Sequence, residues 1–184
     1  MARRQRRRGG ALRAVLTATA MCLLLVPLLG LAWWIVAPTP QAIVRDGGVL
    51  LADPETSAFI AADGWFAILG ALAGLLAAVL VMLGSRKRGV AALVGLTVGG
   101  VLASLLAWRV GHLLGPGELL PRARSADEGS TLEGPLDLRA SGVLFAWPMA
   151  AVAAFLSLTA GVEPPPHLTG ADRRDDSGLR TASV

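Results

Sequence analysis

Apolar positions in this chain fall into four long stretches, at about 12–36, 64–83, 90–114 and 141–161. Each is long enough to cross a bilayer, which takes about 20 apolar residues. Polar positions gather between and outside them: a basic segment at 1–11, loops at 37–63 and 115–140, a tight turn at 84–89 and a tail at 162–184. The pattern predicts an all-α membrane domain over 12–161, a bundle of four transmembrane helices with small loops. The spans take about half the chain, which excludes a large soluble core.

Local signals add detail. Pro27 predicts a kink in the first span. That span is too long for a cleaved signal peptide, and Pro38 and Pro40 follow it where a cleavage site would stand, so it reads as a retained anchor. Trp33 and Trp34 are expected at the membrane interface. In the first loop, Ala42-Ile43-Val44-Arg45 and Val49-Leu50-Leu51 flank Asp46-Gly47-Gly48, a β-hairpin signal. Asp53 and Pro54 open a short helix at about 54–62, and Asp63 caps the second span. In the second loop, 131–133 and 136–139 are expected to be extended around Gly134-Pro135. The proline-rich, charged tail is expected to be disordered.

Small residues predict how the helices pack. Gly70 and Gly74 form G-x-x-x-G, with Ala78 next in the row. Gly95, Gly99, Ala103, Ala107, Gly111 and Gly115 recur every four residues along one face of the third span. Apolar side chains gain little by meeting each other in lipid, so such a face matters because it admits a second backbone. The third span is therefore the expected packing centre. The turn from Gly84 to Gly89 is short and is expected to set the second and third spans side by side.

Charge sets the orientation. Twelve of the seventeen Lys and Arg residues lie in the first thirteen residues, the middle turn and the tail. The two longer loops carry four, with nine of the thirteen acids. Both termini are thus expected in the cytoplasm and both loops outside. The N-terminal arginines read as a topogenic signal and lipid anchor, not as a nucleic-acid site. Sixteen arginines to one lysine, with no Asn or Tyr, point to a GC-rich bacterial genome and so to a bacterial cytoplasmic membrane.

Candidate chemistry is sparse. The single cysteine, Cys22, excludes an intrachain disulfide, and two histidines far apart make no zinc site. No cofactor motif or catalytic constellation is visible, so a non-enzyme is expected. Arg109 is the exception, a charge about 8 Å inside the end of its helix. Trp108 precedes it, and His112 follows one turn on. Three readings are open for this patch: an interfacial anchor, a structural ion pair with an acid, for which Asp63 is the preferred partner, or a ligand or lipid-headgroup site.

Asp63-Gly64-Trp65-Phe66, Ala107-Trp108-Arg109, Leu114-Gly115-Pro116 and Ala146-Trp147-Pro148 occur in this order across the four spans. Over about 29–161 the chain resembles an uncharacterised family of actinobacterial membrane proteins, a domain of unknown function. The resemblance implies a location and an architecture, and carries no functional site. The expected role is an accessory or assembly partner in the cell envelope. The alternative is a small transporter or channel subunit acting as an oligomer. Expected partners are membrane lipid and another membrane protein or a second copy of the chain.

Overall fold

The computed structural model describes residues 2–45, 48–51, 57–84 and 89–160. Four helical segments are long and apolar enough to cross a membrane, at Gly9–Val36, Ala58–Gly84, Val90–Ala123 and Ser141–Ala160. The chain is thus built as a multi-pass membrane protein. The expected Asp46-Gly47 turn, the Asp53-Pro54 helix start, the charged residues of the middle turn and the tail lie outside the described residues.

Span one consists of α1 (Ala2–Leu24) and α2 (Val26–Val36). The helix begins at Ala2, within the basic segment; arginine is a good helix former. The break falls at Leu25, whose N–H donates to the Cys22 carbonyl in a tightened turn. Pro27 causes it: the ring lacks an N–H and crowds the preceding turn. Span two is α3 (Ala58–Gly84), which starts earlier than its apolar run suggested. Ala61 and Ala62 extend the helix readily, so Asp63 lies inside it and does not cap span two. Span three is α4 (Val90–Leu114). The short helix α5 (Leu119–Ala123) follows in the second loop. Span four is a 3-10 turn at Ser141–Phe145 leading into α6 (Ala146–Ala160).

The two long loops fold together. Strands β1 (Gln41–Arg45) and β2 (Gly48–Leu51) form the expected hairpin, with Ile43 opposite Leu50. Strand β3 (Thr131–Glu133), from the second loop, pairs antiparallel with the other edge of β1. The sheet order is β2-β1-β3. Ala42 and Val44 point into the protein, and Ile43, Leu50 and Arg45 point out. Gly129 has φ of 84°, a turn conformation that favours glycine, and its N–H reaches the Val44 carbonyl.

Around the bundle, span one packs on span three, span three also touches span four, and span four packs on span two. Spans two and three meet only slightly, although the shortest connection joins them. This corrects the expectation that the turn makes them partners. A short turn limits distance, whereas glycine decides which backbones can close up. Gly95 and Gly99 receive Val15, Ala18, Thr19 and Cys22 of α1. A Cβ on Gly111 would collide with the Trp33 ring. On span two, a Cβ on Gly74 would strike the Trp147 carbonyl at the start of α6. Ala103 and Ala107 are fully buried in the first seam.

Spans one and two touch at both ends and part between them. Near the sheet, the Trp33 indole donates to the Ala62 carbonyl at 2.9 Å and meets Phe66 edge-on at 5.1 Å. At the far end, Met21 lies against Gly84. Between these contacts the break at Leu25 leaves an apolar cleft of about 160 Å³, lined by Leu25, Leu29, Ala32, Leu69 and Ala73 among others.

Candidate functional site

Three polar side chains near the ends of the spans, Asp63, Trp108 and His112, converge on one short segment, the strap at residues 136–140 that carries the chain from β3 to span four. Asp63 reaches it from α3. Its Oδ1 accepts the Arg139 N–H at 3.2 Å and its Oδ2 the Ala140 N–H at 2.8 Å. These donors stand just before the 3-10 turn at Ser141, where helical geometry leaves N–H groups without internal partners. A carboxylate accepting two amides is a strong, charge-assisted arrangement. Asp63 is only 8% exposed, so little water competes for it. The Arg139 guanidinium lies over the Phe59 ring at 3.5 Å, one turn before Asp63 on α3.

Two side chains reach the strap from α4. His112 Nδ1 lies 2.8 Å from the Leu136 carbonyl oxygen. An oxygen of this kind only accepts, so Nδ1 carries the proton of that bond. The Trp108 indole N–H donates to Asp137 Oδ1 at 3.1 Å. The same oxygen accepts the Leu138 N–H at 2.8 Å. Leu136 turns inward and is buried against Gly115. The strap is therefore held through three of its backbone groups and one acid side chain, from two helices on opposite sides of the bundle.

Arg109 takes no part in this. Its guanidinium lies 5.0 Å from the centre of the Trp108 ring, on the exposed side of α4. The expected pairing with Asp63 is not formed among the described residues, because Asp63 is taken by backbone amides and belongs to the helix across the bundle. Trp108, Arg109 and His112 do lie together, with Trp108 and His112 rings 6.3 Å apart. The acid beside them is Asp137, in the second loop, and not the preferred Asp63. The tryptophan pair also divides: Trp33 is fully buried over Gly111, and only Trp34, 42% exposed, faces outward. An indole N–H with a carbonyl partner can be buried at little cost, which is what Ala62 supplies.

The bundle interior offers little reactive chemistry. Ser104 Oγ and Trp147 Nε1 are buried without a hydrogen-bond partner. Among the described residues, no three His, Cys, Asp or Glu side chains gather closely enough to hold a metal ion. What the arrangement can do is mechanical. It fixes the second loop to the bundle, and with it β3 to the hairpin of the first loop. No protein-family model matches this chain, and neither a curated protein nor a solved structure is significantly similar to it.

Proposed function

We propose that this chain is a non-enzymatic protein of a bacterial cytoplasmic membrane, with both termini inside, acting as an accessory or assembly partner in the cell envelope. The three-stranded sheet is its outward platform. The observation that carries this reading is the strap: Asp63, Trp108 and His112, the conspicuous polar residues at the spans' sheet ends, all hold the loop that supplies β3. Side chains placed this way make a rigid external surface. The outer face of the sheet carries Ile43 opposite Leu50, at 37% and 56% exposure, beside Arg45. The charge distribution supports the orientation, since basic residues stay on the cytoplasmic side. Membership of the actinobacterial family belongs to the same proposal.

The test is a photo-cross-linking amino acid placed at Leu50 in growing cells. One discrete adduct with a larger membrane or envelope protein is expected. Adducts only with a second copy, together with ion flux in proteoliposomes, would favour an oligomeric channel subunit and overturn the reading.

A further inference from the structure

We propose that the recess between the sheet-end tips of α2 and α4 binds the headgroup of a zwitterionic, ammonium-bearing phospholipid such as phosphatidylethanolamine. The recess has a volume of about 540 Å³. Its lower wall is formed by Trp34 and Ile35 in the last turn of α2 and by Leu114, the last residue of α4. Thr39 and the β3 residue Glu133 form the upper wall. The apolar wall therefore sits where the spans leave the bilayer, and the polar wall sits above it. That gradient matches a lipid at the junction of chain and headgroup, and does not depend on which side of the membrane the sheet faces.

Charge decides the headgroup. Among the described residues no cation pairs with the Glu133 carboxylate; Arg122 bonds instead to the Glu133 backbone carbonyl, Nη1 to oxygen 2.8 Å. A lone carboxylate sharing a recess with an exposed indole favours an ammonium ion, by charge and by attraction to the ring face. A free divalent ion would need several more oxygen ligands than one carboxylate and Thr39 provide. An anionic headgroup would face Glu133 without compensation. The acyl chains would leave along Ile35 and Leu114, which are 67% and 45% exposed.

The full chain, reconstituted in nanodiscs of mixed phosphatidylethanolamine and phosphatidylglycerol, is extracted gently and its retained lipids are counted by native mass spectrometry. The wild type should retain phosphatidylethanolamine about fivefold over its bulk share, as expected of one ammonium–π contact joined to one partly solvated charge pair. Glu133→Gln should return the ratio to the bulk value, Glu133→Asp should keep most of it, and Trp34→Leu should reduce it. Arg109→Gln should leave it unchanged. Glu133 is exposed, so an unaltered melting temperature for its variants separates lost binding from lost fold. No enrichment in the wild type, enrichment of phosphatidylglycerol, or an unchanged ratio in Glu133→Gln overturns the proposal.

Discussion

Where α4 meets span one, the side chains are small and the backbones close; where the strap crosses the ends of α3 and α4, the contacts are hydrogen bonds with polar side chains. The seam is built by subtraction. Gly95, Gly99 and Gly111 remove atoms so that Val15, Thr19 and Trp33 can approach. Lipid chains are as apolar as leucine, so the gain is close van der Waals packing and not escape from water. The strap is built by addition, because side chains reaching up from the helices give its backbone groups fixed partners. The two devices do different work: the seam sets which helices are neighbours, and the strap sets where the loops lie. Substitutions in the seam should therefore loosen the bundle as a whole, and substitutions at the strap should free the loop and leave the helices in place.

The largest effect is expected at Gly111. Leucine there must displace the buried Trp33 ring, which also costs the indole its bond to Ala62. Gly111→Leu should destabilise by about 3 kcal/mol or more, read as a large fall in melting temperature in detergent. Asp63→Ala comes next. It strands the Arg139 and Ala140 amides, at a cost of about 2 kcal/mol, and loss of protease resistance should be confined to the second loop. His112→Ala removes one hydrogen bond to the strap and should cost about 1 kcal/mol. The smallest effect sharpens the comparison from the other side. Ala73 lines the cleft between spans one and two, where there is room. Ala73→Leu should change stability by less than about 0.5 kcal/mol, against the large loss at Gly111. Equal losses at Gly111 and Ala73 would show that the seam has no special place.

The spans were legible because apolar length and bilayer thickness must match, and α4 occupies the range its hydropathy predicted. Pro27 marked the break in span one for an equally local reason, and Asp-Gly between β-prone residues marked the hairpin. The order of the helices was not legible. A turn of a few residues says that spans two and three start near each other; it does not say which faces close up. That depends on what each glycine admits, as Gly111 admits the Trp33 ring and Gly74 the backbone at Trp147. The partner of Asp63 was hidden for a related reason. An acid near a membrane surface suggests a cation, and Arg109 is the prominent one. The actual partners are backbone amides, which every residue has and no sequence pattern announces. Asp137 was one of several loop acids within reach of this patch, and nothing local ranked it above Asp63. The joining of both loops in one sheet was equally silent, since strand pairing across a long separation has no local signature.

Hydrogen exchange at the strap tests the central claim most directly. The Arg139 and Ala140 amides, bound by Asp63, should exchange slowly in the wild type. In Asp63→Ala they should exchange at close to the rate of an open loop, with protection also falling in β3 and remaining intact in α3 and α4. Rapid exchange at these amides in the wild type, or unchanged protection in the variant, would contradict the account.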